Sequence, residues 1–112
     1  MKADEFNIIV EDQFSECRAT LCRKAEEYAT GADRLHNFKR AAALEQTTQE
    51  KAVVGMWSKH LVSVLDIADT AHVNLPDMAL LDEKITDLIN YAVLLKASIV
   101  ERVRAAREQT AA

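Results

Sequence analysis

Apolar residues recur along most of this chain at spacings of three and four. In its last third, Leu81, Ile85, Leu88, Ala92, Leu95 and Ile99 are spaced four, three, four, three and four. At about 100° per residue, that pattern is one stripe of a helix. Glu83, Asp87 and Asn90 fall on nearly the opposite side, with Tyr91 beside them. The next positions on that side, Leu94 and Ala97, are apolar. A face polar in one half and apolar in the other is expected to be covered. Two carboxylates and an amide on a covered face make it a candidate site.

The same spacing predicts three earlier helices. One runs from about Glu11 to Ala29, with Phe14, Cys17, Leu21, Ala25 and Tyr28 on its apolar side and Gly31 ending it. Asp33 is placed to cap a short second helix from Arg34 to Leu44. Thr47 followed by Glu50 reads as a capping box. It opens a third helix from Thr48 to Ala71, with Val53, Trp57, Leu61, Val64 and Ala68 on one side. The segment HVNLPDM carries the sole proline, Pro76, and predicts a loop. A fourth helix then runs from Asp77 to Arg107. Residues 1–10 read as an arm of undefined type, with strand character at Asn7–Val10. Residues 11–108 read as one helical domain, and 109–112 as a frayed tail. Short connections between four helices predict an antiparallel, four-helix bundle-like all-α fold. Its two long amphipathic helices suit a homo-oligomer.

Composition agrees with helices. The chain has 112 residues and only two glycines and one proline, too few for the turns that a sheet needs. Its net charge is −4, the wrong sign for coating long nucleic acid. No apolar run reaches the length of a membrane span, and the start, MKADEFNIIVED, is acidic rather than signal-like. Cys17 and Cys22 lie five apart on one predicted helix, on opposite sides, where they cannot pair. Reduced thiols at or near the core, and a cytoplasmic location, are expected.

The third helix repeats the two-sided pattern. Lys59, Ser63, Asp66 and Thr70 share a side away from Trp57, with His60 and Asp69 at its edges. The first helix ends in Lys24, Glu26, Glu27 and Tyr28, and the segment after it carries Arg34, His36, Asn37, Phe38, Lys39 and Arg40. Acids from several helices facing bases from one loop suit a phosphorylated ligand. Magnesium keeps several waters and needs few carboxylates. It can bridge acids and phosphate oxygens, while Arg and Lys neutralise the remaining charge. Tyr28, Phe38, Trp57 or Tyr91 could stack on a base. Taken singly, each residue also has a plainer role. Carboxylates four apart are common on solvated helix faces, lone histidines sit at boundaries, and Trp57 and Tyr28 suit a core.

Three segments, KAEEYATGADRLHNFKRAA, GMWSKHLVSVLDIAD and DEKITDLINYAVLLK, together resemble the nucleotide modification associated domains of tailed phages. That family shares a K-x-x-[DE]-Y segment and a late E-x-x-x-D-x-x-N-Y helix. It is similar in turn to the MazG-like all-α nucleoside triphosphate pyrophosphohydrolases. The likeness spans roughly residues 17–102. It implies an oligomeric helical bundle that binds magnesium through carboxylates on two helices. On the enzyme pattern, E-E-x-x-E and a later E-x-x-D, Glu26 and Glu27 match the first two acids, and Glu83 and Asp87 the later pair. Thr30 stands where the third acid would be, and the later pair is spaced by four rather than three.

The expected function is therefore metal-dependent hydrolysis of a nucleotide phosphoanhydride. Glu27, Glu83 and Asp87 would hold magnesium, and Lys59 and Asp66 would act as catalytic groups. Lys24, Tyr28, Arg34, His36, Asn37, Phe38, Lys39, His60, Ser63, Asn90 and Tyr91 would contact substrate. Two alternatives stand beside it. One is a non-catalytic module that sequesters a nucleotide or a nucleotide-derived signal. The other is a helical adaptor that binds a protein partner.

Overall fold

The computed structural model describes residues 1–27 and 33–111, without the side chains of 24–27. Among them are four helices and no strand: α1 (Ala3–Glu27), α2 (His36–Glu45), α3 (Gln49–Thr70) and α4 (Met78–Ala111). The all-α expectation holds. Three bounds differ from the sequence pattern. The predicted arm belongs to α1, so the apolar run Asn7–Val10 is helical. α4 continues through the expected frayed tail to Ala111. Thr48, not Thr47, caps α3, its hydroxyl accepting the Lys51 N–H at 3.3 Å. Thr47 instead closes α2: its N–H reaches the Ala42 carbonyl at 2.9 Å once Gln46 turns left-handed at φ 55°. Asp33 shapes the turn before α2 by accepting the Leu35 N–H at 2.9 Å.

The helices form a bundle-like all-α arrangement in which not every pair of helices packs together. α4 is the hub. α3 packs along it, α2 packs on α3, and α1 rests on α4 without touching α2 or α3 among the described residues. The core is small. Leu35 at the N-terminal cap of α2, Phe38 of α2 and Val53 of α3 are buried together, with Met56, Tyr91, Leu94, Leu95 and Ala97 against them. The Phe38 and Tyr91 rings meet edge to face at 6.2 Å, a favoured aromatic geometry. The Trp57 indole N–H donates to the Leu88 carbonyl at 3.1 Å and ties the middle of α3 to α4.

α4 fully buries only small polar residues, while its apolar stripe is half-buried at Leu81, Ile85, Leu88 and Leu95. Its buried positions are Thr86, Asn90 and Ser98. Thr86 accepts from Gln13 of α1 at 2.8 Å, and Ser98 accepts from Gln49 of α3 at 3.1 Å. Ala92 and Ile99, also members of that stripe, are exposed. Cys17 is buried and Cys22 exposed, both as free thiols; Cys22 is therefore a surface residue, not a near-core one.

Exposed ion pairs pin the ends. Lys39 bonds Asp33 and, at 2.9 Å, Glu101 of α4. The Lys39 ammonium holds the Asp33 carboxyl below its usual value, and the two carboxylates hold Lys39 above its own. Arg102 grips Glu50 through two nitrogens, at 2.8 and 3.0 Å. Glu50 is lowered by its own backbone N–H and then by Arg102. No helix of the described residues is long and apolar enough to cross a membrane.

Candidate functional site

A groove of about 990 Å³ lies between α1 and the start of α4. Asp12, Gln13, Glu16, Thr20 and Arg23 line it from α1; Asp82, Glu83, Thr86 and Asp87 line it from α4. Ile9, Met78, Leu81 and Ile85 give it apolar walls. Five carboxylates against one arginine make it acidic. Such a surface concentrates cations and repels a bare phosphate.

Helical spacing brings Glu83 and Asp87 to this groove together, since residues four apart stack on one face. At its inner end Asp87 meets α3: its Oδ2 lies 3.7 Å from His60 Nδ1, with both side chains about one quarter exposed. The His60 ring in turn lies 4.5 Å from that of Tyr91. His60, Asp87, Tyr91 and Phe38 thus form a continuous set of contacts from the groove to the core.

Asn90 sits one turn beyond Thr86 and Asp87. It is 5% exposed, and neither its amide nitrogen nor its carbonyl oxygen has a partner among the described residues. Thr86 and Ser98, the other buried polar residues of α4, each accept a bond from a glutamine. Asn90 alone on that row is unsatisfied. A buried unpaired polar group costs about 1–3 kcal/mol, and no packing among the described residues accounts for an amide there. Leucine has the same branched skeleton without the polarity. Asn90→Leu is therefore expected to raise the unfolding free energy by about 1–3 kcal/mol in chemical denaturation. A loss of stability would mean that Asn90 is satisfied within the chain.

The other candidate residues are dispersed. Lys59 and Asp66 are exposed on α3 and do not line the groove. Ser63 is half-buried and donates to the Lys59 carbonyl at 3.1 Å. His36 and Asn37 are exposed at the start of α2, Lys39 is held by its two carboxylates, and Arg34 is half-buried. Phe38 is 6% exposed and belongs to the core. Tyr28 and the side chains of Lys24, Glu26 and Glu27 lie outside the described residues, and with them the first acidic motif. Among the described residues, no three His, Cys, Asp or Glu side chains converge on a point that could hold a metal.

No family model, curated protein or solved structure matches this chain. The site therefore stands on its own geometry. Its α1 wall is absent from the sequence expectations above, although a signal existed. Asp12, Glu16 and Arg23 are spaced four and seven, which places them on one face of a helix. That face becomes a wall only because α1 is set against α4.

Proposed function

We propose that this chain binds a nucleoside triphosphate or a related phosphorylated nucleotide through magnesium, and hydrolyses its phosphoanhydride. The observation that carries the reading is the pairing of Glu83 and Asp87 in one groove, beside the unsatisfied amide of Asn90. An acidic groove takes a phosphate chain only when a divalent cation lies between them. Two carboxylates one turn apart fit magnesium, which is commonly held by one or two such groups together with waters and substrate phosphates. The volume also suits a nucleotide, since small-molecule sites span roughly 300–1,000 Å³.

Magnesium, when bound, would supply Lewis-acid polarisation of the phosphate oxygens. The chain's own residues would do the rest. Glu83 and Asp87 would hold the cation. His60 would steady Asp87 from α3. Arg23, across the groove on α1, would meet phosphate charge. The Asn90 amide offers both a donor and an acceptor and is buried one turn beyond the groove residues Thr86 and Asp87. The dispersion of Lys39 and Lys59 away from the groove favours a metal-bridged ligand over one held by basic side chains.

The test is a panel of canonical and modified nucleoside triphosphates with magnesium or manganese. Released pyrophosphate and melting temperature are both followed. Turnover of at least one member is expected, and a melting shift that disappears with chelator. A shift without turnover would leave binding and remove hydrolysis. Silence in both readouts across the panel would overturn the nucleotide reading.

A further inference from the structure

We infer that α1 is a gate on the groove: it opens from α4 as one unit while α2, α3 and α4 stay packed, and the acids on the two walls set how often it opens. The seam between α1 and α4 is thin. The covered side of α1 is Val10, Gln13, Cys17, Thr20 and Leu21, and of these only Cys17 and Thr20 are buried. The larger apolar residues Phe6, Ile8, Ile9 and Phe14 are each at least half exposed. Among the described residues, the bond from Gln13 to Thr86 at 2.8 Å is the one hydrogen bond from α1 to another helix. No ion pair among them joins α1 to the rest of the chain. The buried cluster of Leu35, Phe38 and Val53 takes nothing from α1.

The other helices are held more firmly. α3 is tied to α4 by Trp57 on the Leu88 carbonyl, by Gln49 on Ser98 and by Glu50 on Arg102. α2 is held by Phe38 in the core and by Lys39 on Glu101. Opening α1 therefore uncovers little apolar surface and exchanges one hydrogen bond for water. Opening α3 takes the core apart. Elements with few buried apolar contacts open first, well before the chain unfolds as a whole.

The two walls also repel each other. Asp12 and Glu16 on α1 face Asp82, Glu83 and Asp87 on α4, and Arg23 is the single cationic side chain among the lining residues. Like charges resist approach, and salt screens them within about 10 Å at 0.1 M. Cations gathered in the groove thus favour the closed position. As control of access to the groove, the inference rests on the nucleotide reading. As a motion it rests on the seam alone, and its test needs no nucleotide.

The chain carries its own probes. Cys17 is buried in the seam, beside the Gln13 amide that also bonds Thr86, and Cys22 is exposed on the same helix. Trp57 reports the seam between α3 and α4. The wild-type chain is treated with N-ethylmaleimide, a neutral thiol reagent, over a urea series. Alkylation of each cysteine is followed by peptide mass, beside Trp57 fluorescence. Without urea, Cys17 should react at least about 10-fold faster than Trp57 reports unfolding. Raising sodium chloride from about 0.05 to 0.5 M should slow Cys17 several-fold relative to Cys22, which cancels any effect of salt on the thiol chemistry. Asp12→Lys, which turns repulsion into attraction, should slow it likewise. Magnesium chloride at equal ionic strength should slow Cys17 further where Glu83 and Asp87 bind the ion. Equal slowing by both salts would remove that magnesium site and leave the gate supported. Alkylation of Cys17 that tracks the Trp57 transition at every urea concentration overturns the inference, because α1 would then unfold only with the whole chain. A Cys17 rate that salt and Asp12→Lys leave unchanged overturns the role of the acids.

Discussion

Phe38→Ala is expected to lower the unfolding free energy by about 3–5 kcal/mol, the usual cost of removing a buried phenyl group. The reason is the scarcity of alternatives. α2 has ten residues, too few to persist alone in water, and it holds to the rest through Leu35 and Phe38. The ring touches Val53 of α3 and Tyr91 of α4 in the single buried apolar cluster of the described residues. Its loss removes buried area, leaves a cavity, and deletes an aromatic pair worth about 0.5–1.5 kcal/mol beyond its area. Against a total stability of roughly 5–15 kcal/mol, that is a large fraction. A fall of on the order of 15 °C in melting temperature should follow, measured at fixed protein concentration because association also sets stability. The same variant separates two roles. A loss under about 1 kcal/mol with weakened nucleotide binding would place Phe38 at a ligand surface, the role expected of it from the sequence.

The contrast between Phe38 and Ile99 shows what the sequence discloses. Helical periodicity locates α3 and α4 to within a few residues, because an apolar repeat of three and four has no other regular solution. It places Ile99 on the apolar stripe but does not say whether that stripe is covered, since periodicity says which residues share a face and not what lies against that face. α4 has two faces suited to burial. The one packed within the chain joins Thr86, Asn90 and Ser98 to Leu94 and Ala97, a mixed polar and apolar face that hydrophobic periodicity marks only weakly. Gln13 and Thr86 are separated by 73 residues, and no local rule pairs them. Asn7–Val10 misleads for the opposite reason. A short apolar run reads equally as a strand or as part of a helix, and its flanks contain no breaker to decide. Asp87 and Asn90 stand out in the helical pattern as polar residues on a face that calls for cover. The groove beside them also needs α1, whose approach to α4 leaves no trace in periodicity.

Glu83→Ala and Asp87→Ala bear most directly on the groove, and their effects should divide cleanly between function and fold. Glu83 is exposed, and among the described residues its carboxylate has no hydrogen bond or ion pair; Asp87 has only His60, at 3.7 Å. Removing either should change stability by no more than about 0.5 kcal/mol, as at most surface positions. Thinning the five-carboxylate crowd one acid at a time should even relieve some repulsion. Cation affinity should fall instead, since each variant halves the carboxylate pair offered from α4. Metal-dependent turnover should then drop by about 100-fold or more, on the scale seen when one group aimed at developing charge is deleted. Asp87→Asn gives the finer test. It keeps the shape and the contact with His60 while deleting the charge, so it should behave like the alanine variant in turnover and like the wild type in stability. Magnesium titration followed by melting temperature reads the first effect without depending on turnover. Equal magnesium response in wild type, Glu83→Ala and Asp87→Ala would mean that the two carboxylates are merely solvated neighbours on a helix.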